Sequence, residues 1–432
     1  MSARFHRKLI HYSLSLYLIA TWSSMAGMEI FGWLTFLLTV TYAVRSPSDD
    51  PVGFRDIAAF MPWKACLALL GITVLGLYIN GTPSADKVYD IGSQRWIFIF
   101  AMLSFSLATC PPTLKGYRIF LGFTSLVAVY AIFQSFTGID LLRLGSHRAV
   151  QELPDGILWR SAGLFGSPLA YGYIAGQHVC LALGMALLTF HERKKVGWLF
   201  WGSLAAYVLI SLSIITTFTR GAWIAMVCAH LFVAWAVAPR IALLLLGSGT
   251  AALGILFATI GTFRFRILSL FDSGYSSNSE RVFLWKCNWA MFKDYPILGI
   301  GYQENEARAA EYTERLGRPY AFTGHAHNNY IQMLSGTGIT GFLAYMFIIS
   351  FMLWLTWRLW KRLPSDLLWA RALTLGCLGA QIHLHIGGLT ECNFKAGTEN
   401  HNFMVVWGLV VAMSALESKG LLRSRYGTKV EC

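Results

Sequence analysis

Apolar runs long enough to cross a bilayer recur from one end of this 432-residue chain to the other, and no other feature constrains its fold so tightly. Inside hydrocarbon a backbone must satisfy its own hydrogen bonds, so such runs become helices. Taking about 17 to 25 mainly apolar residues as a span, twelve are expected: 9–26, 28–44, 63–80, 95–110, 117–136, 167–190, 196–218, 221–238, 240–261, 338–357, 367–387 and 401–417. The expected fold is all-α, a polytopic membrane protein with one large outer loop containing short helices. Residues 1–261 hold the first nine spans, 262–337 the loop, 338–418 the last three spans and 419–432 a tail. The first two spans are joined by almost nothing, around Gly27.

The formal charge of +13 could suggest a nucleic-acid partner. Its distribution argues against one, because the basic residues fall in short connectors between apolar runs. With the amino terminus inside, the inner segments carry nineteen Lys and Arg and the outer connectors seven, leaving out the long loop. Basic residues accumulate on the cytoplasmic side, so both termini are expected there, with membrane lipids as a secondary partner. Arg4, Arg7 and Lys8 before an apolar run imitate a signal peptide. No small-residue cleavage site follows, so an uncleaved first helix is expected. Eight scattered cysteines without a CxxC pair point to buried thiols rather than disulfides or zinc.

Four outer connectors are long or charged. Residues 137–166 include Asp140, Arg143, His147, Arg148, Glu152, Asp155 and Arg160. The link TTFTRGAW, 216–223, sets Arg220 at the rim of a helix pair. Within 262–337, Ser279 could cap a helix to about Lys293, with Val282, Phe283, Trp285, Trp289 and Phe292 on its apolar side. Segment 303–316 pairs Glu304 with Arg308 and Glu311 with Arg315 at four-residue spacing, as on an exposed helix that could move as a lid. The last connector, 388–400, holds Glu391; that residue and Glu399 are the only outer acids near a helix end late in the chain.

Each charged candidate has two readings. Arg220 is a snorkelling anchor, or a fork for phosphate oxygens. Arg281 is a solvated surface charge, or a second clamp helped by backbone N–H groups at a helix start. The glycines of RSAGLFGSP, 160–168, would let the Arg160 loop approach a ligand, and they equally fit a plain turn. His325 and His327 suit proton transfer, a structural role, or a metal. The metal reading needs a third ligand that this loop does not supply, so no metal is expected. His383, His385 and His401 read as structural.

At these residues the chain resembles the O-antigen ligase and polymerase superfamily of bacterial envelope proteins. Its ligases carry a histidine, then Asn, Ser or Gln, nine residues, and Gly-x-x-Gly. Here these are His327, Asn328, residues 329–337, Gly338 and Gly341. TFTRGAW resembles the family's Ser/Thr-Arg-Gly turn. ERVFLWKCNWAMFKDYPILGIG, 280–301, is similar to its Arg-x-x-x-Trp…Asp-x-Pro-x-x-Gly-x-Gly region, and 160–168 to its Arg-x-x-Gly-x-Phe-x-x-Pro segment. The resemblance implies a multi-pass protein of the bacterial inner membrane with a periplasmic active site. It implies transfer of a glycan from undecaprenyl diphosphate to lipid A–core oligosaccharide, without metal or nucleotide. His327, Arg281 and Arg220 are then the catalytic candidates, and Arg160, His325 and Asn328 the substrate-binding ones. An O-antigen polymerase joining two lipid-linked glycans is the alternative within the family. A flippase or transporter of lipid-linked sugar is the alternative from another class; repeated halves and midplane ionisable groups, which transporters tend to show, are not evident.

Overall fold

The computed structural model describes residues 3–45, 52–82, 87–144, 149–153, 157–193, 197–272, 274–318, 324–394 and 397–426. His147, Arg148, Asp155, Lys194, Lys195, Lys395, Lys429 and Cys432 lie outside the described residues. Every predicted apolar run falls on a helix. Among the described residues, eight helices are long and apolar enough to cross a membrane: Met25–Arg45, Tyr89–Thr109, Leu114–Thr137, Pro168–His191, Trp198–Ile215, Arg220–Val237, Pro239–Thr259 and Asn329–Arg362.

The other four predicted spans coincide with Ala3–Ala20, Trp63–Ile79, Leu368–Gly387 and Gly397–Ser418. Trp63–Ile79 has only 17 residues, and Ala3–Ala20 begins with Arg4, Arg7 and Lys8. Leu368–Gly387 and Gly397–Ser418 are buried along most of their length. Protein neighbours surround Gln381, His383, His401 and Asn402 there, so these helices tolerate polar groups that a lipid-facing helix would not. Pro239–Thr259 is the opposite case, apolar all round with no buried residue, as a helix bathed in lipid should be. The first two helices are separated by residues 21–24, and Gly27 lies inside the second.

The large polar segment is ordered by a small core of its own, comprising Phe283, Cys287, Ala290, Met291, Ile300 and Tyr312. Helix Ser276–Asp294 starts earlier than expected, and Ser279 sits within it, bonding to Ser276 O rather than capping. Its buried stripe is Phe283, Leu284, Cys287, Asn288, Ala290 and Met291, while Val282 and Trp289 are exposed. The tryptophan-rich stripe read from the sequence is therefore rotated. Asn288 takes an inward place because it bonds Ser335 and Asn305.

Segment 303–316 also differs from expectation. It is two short helices, Glu304–Ala307 and Ala309–Arg315, broken at Arg308. Glu304 is buried and accepts from the Thr82 N–H and Oγ1, Arg308 pairs with Glu311, and Arg315 pairs with Asp294. With Ala309, Tyr312 and Thr313 buried as well, this segment is anchored rather than an exposed lid.

The two glycine-rich motifs meet backbone to backbone. The Ile300 N–H donates to Ser335 O at 2.9 Å, Gly301 to Gly336 O at 3.2 Å, and Ile339 to Pro296 O at 2.8 Å. Gly338 has φ +64°, which interrupts helix Asn329–Arg362, and a Cβ there would lie 2.3 Å from Ile297 O. Gly299, at φ +73°, would meet Gly336 at 2.4 Å. Side chains fit neither position, so this crossing fixes helix Ser276–Asp294 against the histidine-bearing segment. Gly338→Ala should therefore lower stability by at least about 2 kcal/mol, read as a lowered Tm in detergent; a Tm equal to wild type would show that the crossing can relax.

Candidate active site

The histidine loop is held from below by the asparagines that follow it. Asn328 caps helix Asn329–Arg362, its Oδ1 accepting from the N–H groups of Tyr330 and Ile331 at 2.9 and 3.0 Å. Its Nδ2 donates to Leu389 O at 2.9 Å. The Asn329 N–H donates to Gly388 O at 2.7 Å, and Asn329 Nδ2 to Asn393 Oδ1 at 2.6 Å. Together these bonds set residues 388–394 alongside the loop. His327 has φ +47°, in the left-handed region, where histidine is more acceptable than a branched residue.

That register places Glu391 against both histidines. Its two carboxylate oxygens each lie 3.0 Å from His327 Nδ1, and Oε1 is 3.6 Å from His325 Nε2. The imidazole rings are 4.1 Å apart, and the His327 N–H donates to His325 Nδ1 at 3.2 Å. The Arg281 guanidinium approaches Glu391 Oε2 at 3.8 Å. Glu391 is nearly buried, which alone would raise its pKa. The hydrogen bond and charge of His327, the charge of His325 and the Cys392 N–H outweigh that burial and hold the carboxyl below its ordinary 4.5. An ionised carboxylate only accepts, so it selects the His327 tautomer with the proton on Nδ1 and leaves Nε2 as the basic nitrogen.

Arg220 is buried at the first residue of helix Arg220–Val237. Its Nη1 donates to Ser269 O and Oγ at 2.8 and 3.0 Å, and its Nη2 to Asn278 Oδ1 at 2.9 Å. Its guanidinium lies 5.1 Å from the centre of the Tyr275 ring. Asn278 is three residues before Arg281 on the same helix, so the two arginines are neighbours. Arg281 is in the second turn of that helix, beyond the backbone donors expected to assist it. Arg160, on the short strand Trp159–Arg160, donates to Thr217 O at 3.0 Å and Gln151 Oε1 at 2.8 Å. Burial first, and then the charge of Arg266, lower its pKa to about 10; the charges of Arg220 and Arg281 add to this and Tyr275 opposes it. Arg160 stays a cation at neutral pH.

All six candidate residues thus lie in one continuous region. Asn328 reaches it through the backbone it caps, since its side chain is engaged locally. Sequence reading gave no weight to Arg266 or Tyr275, and noted Glu391 only as an outer acid. The expectation of no metal rested on the lack of a third ligand in the histidine loop. Glu391 supplies one: atoms of His325, His327 and Glu391 lie within 4.8 Å of one another and could hold an ion. Arg281 already brings positive charge to that carboxylate. The seven described cysteines are all free thiols.

Fold and site define a multi-pass helical membrane protein with a cluster of guanidinium groups beside a carboxylate-held imidazole. Residues 205–346, which contain Arg220, Arg281 and His327, match the family model described as O-antigen ligase, and this match supports an assignment to the O-antigen ligase/polymerase family. No curated protein matches the chain.

Because the folded pKa of Glu391 is depressed, its stabilisation is fully present above 4.5 and is lost as pH falls through the folded value. Glu391→Gln should cost about 1.5–3 kcal/mol near neutral pH, with the difference from wild type shrinking below pH 4.5. Unfolding curves in detergent between pH 7 and 3 check this.

Proposed function

We propose that this chain is an O-antigen ligase, transferring a glycan from undecaprenyl diphosphate to a sugar of lipid A–core at the periplasmic face of the bacterial inner membrane. Both termini are cytoplasmic in this reading. The observation that carries it is the meeting of His327, Glu391 and Arg281, with Arg220 bonded to Asn278, one helical turn before Arg281. A base next to a guanidinium pair suits attack by a hydroxyl on a carbon whose leaving group is a diphosphate.

His327 Nε2 takes the proton from the acceptor hydroxyl. The hydroxyl oxygen bonds to the anomeric carbon from the face opposite the diphosphate, and the carbon–phosphate-oxygen bond breaks with inversion. The diphosphate leaves with the electron pair, and Arg281 and Arg220 stabilise its charge. Glu391 holds the imidazole in the accepting tautomer and stabilises it once protonated. His325 and Arg160 contact the donor at the rim, and Asn328 serves substrate binding by fixing the loop. No metal takes part, because Arg281 fills the cationic role beside Glu391.

The test incubates purified protein with polyprenyl-diphosphate glycan and lipid A–core, then separates products on a gel. Ligated lipid A–core is expected; growth of the donor glycan alone would mean a polymerase, and movement of lipid across vesicles without transfer a flippase. His327→Ala should reduce turnover about 10²–10⁴-fold, and nearly full activity would remove its role as base. Excess chelator should leave transfer unchanged; loss restored by a divalent ion would instead make the His325–His327–Glu391 set a metal centre.

A further inference from the structure

Away from the candidate active site the membrane helices leave a cleft of about 520 Å³, within the roughly 300–1,000 Å³ usual for a ligand pocket. One wall is helix Ala3–Ala20, through His11, Tyr12 and Ile19; the other is the start of Leu114–Thr137, through Ile119, Phe120 and Phe123. Pro168–His191, Leu368–Gly387 and Gly397–Ser418 form its floor, with Leu181, Leu373 and Val405. The first wall packs chiefly on Met25–Arg45 and the second on Trp198–Ile215, and Tyr12, Ile19 and Ile119 are exposed, so the cleft opens sideways toward lipid. Trp369 and Ala380 both line it, and their separation on one helix is about 16 Å. That matches the hydrocarbon depth of one leaflet, about 15 Å.

The two ends of the cleft differ. Thr113, Lys115 and Gly116 line one of them. The Cys110 thiol donates to Arg7 O at 3.3 Å, which brings the Lys8 turn to the same end. Lys8 lies one turn before His11 and Tyr12, on the helix face that lines the cleft. Both lysines are exposed, neither is ion-paired to a carboxylate among the described residues, and no acidic residue is among those lining the cleft. Thr113 caps helix Leu114–Thr137 here, so the positive end of the helix dipole adds to the two lysines. At the other end Gln177 is 2% exposed, and neither of its amide atoms has a partner among the described residues.

We propose that the cleft binds one acyl chain of an anionic glycerophospholipid, with the phosphate between Lys8 and Lys115 and the chain running toward Gln177. Apolar walls open to the bilayer suit a hydrocarbon chain better than a soluble ligand, and two unpaired lysines at the mouth select a negative headgroup. Gln177 keeps the lipid exchangeable, because a chain that shuts water out of the cleft cannot match its amide. In the proposed orientation the mouth faces the cytoplasm, so the lipid comes from that leaflet. The floor helices Leu368–Gly387 and Gly397–Ser418 flank the connector that carries Glu391, so a bound chain braces the scaffold beneath the candidate site.

Native mass spectrometry of the full-length protein, released from nanodiscs holding equal amounts of phosphatidylglycerol and phosphatidylcholine with identical chains, tests this. Wild type should retain one phosphatidylglycerol in preference to phosphatidylcholine. Lys8→Gln and Lys115→Gln, both at exposed positions, should each cut that preference about five-fold. Equal retention of the two lipids by wild type, or an unchanged preference in the double variant, would overturn the proposal. Gln177→Leu should slow loss of the retained lipid several-fold, since it removes the unmatched amide; faster loss would mean a polar group at that end and refute the acyl chain. Location is read on the wild-type protein with phosphatidylglycerol carrying a diazirine at the chain end, followed by peptide mass spectrometry. Crosslinks should reach the closed end at Leu181 or Ala380; crosslinks confined to lipid-facing helices such as Pro239–Thr259 would sink the idea.

Discussion

One nearly buried carboxylate draws the candidate site together. Glu391 sits on the connector after helix Leu368–Gly387, yet it meets a histidine loop some sixty residues earlier and an arginine on a different helix. Burying a carboxylate is expensive unless its oxygens are matched, and here His327, His325, Arg281 and the Cys392 N–H match them. The same contacts that make the burial tolerable also set the tautomer of His327. In the proposed reaction, stability and reactivity at this point are one arrangement.

That arrangement depends on a second constraint, the close crossing of 296–301 with 335–340. Glycines at 299 and 338 let two backbones bond directly, which no pair of side-chain-bearing residues would allow. Arg281 descends from one side of the crossing and His327 approaches from the other. Relative position is therefore set by main-chain geometry, which is stiffer than contact between long side chains. The asparagine set Asn328, Asn329 and Asn393 then ties in the third element, the one that carries Glu391.

The cluster of arginines is the complementary feature. Arg160, Arg220 and Arg266 are held by neutral groups, namely carbonyls, amides, hydroxyls and the Tyr275 ring. Neutral partners orient a guanidinium without cancelling its charge, so a net positive field remains for an anionic ligand. Ion pairs on the short helices nearby, Arg308 with Glu311 and Arg315 with Asp294, show the contrasting structural use of the same residue type.

Much of this was legible in the chain alone. Helices followed from apolar run length, because hydrocarbon permits little else, and the histidine loop and its arginines followed from motif and polarity. Details that depend on which face a neighbour covers did not follow: the buried stripe of Ser276–Asp294 is turned toward Asn288 because Asn305 and Ser335 wait there. The anchoring of 303–316 likewise turns on Glu304 finding Thr82, over two hundred residues away. Sequence by itself determined the helical class and most of the candidate residue types, since these depend on local composition. Only the tertiary structure chose Glu391 over Glu399 as the partner of His327 and brought Arg266 beside Arg220 and Tyr275. Distances across separate helices are set by packing, and spacing along the chain does not encode them.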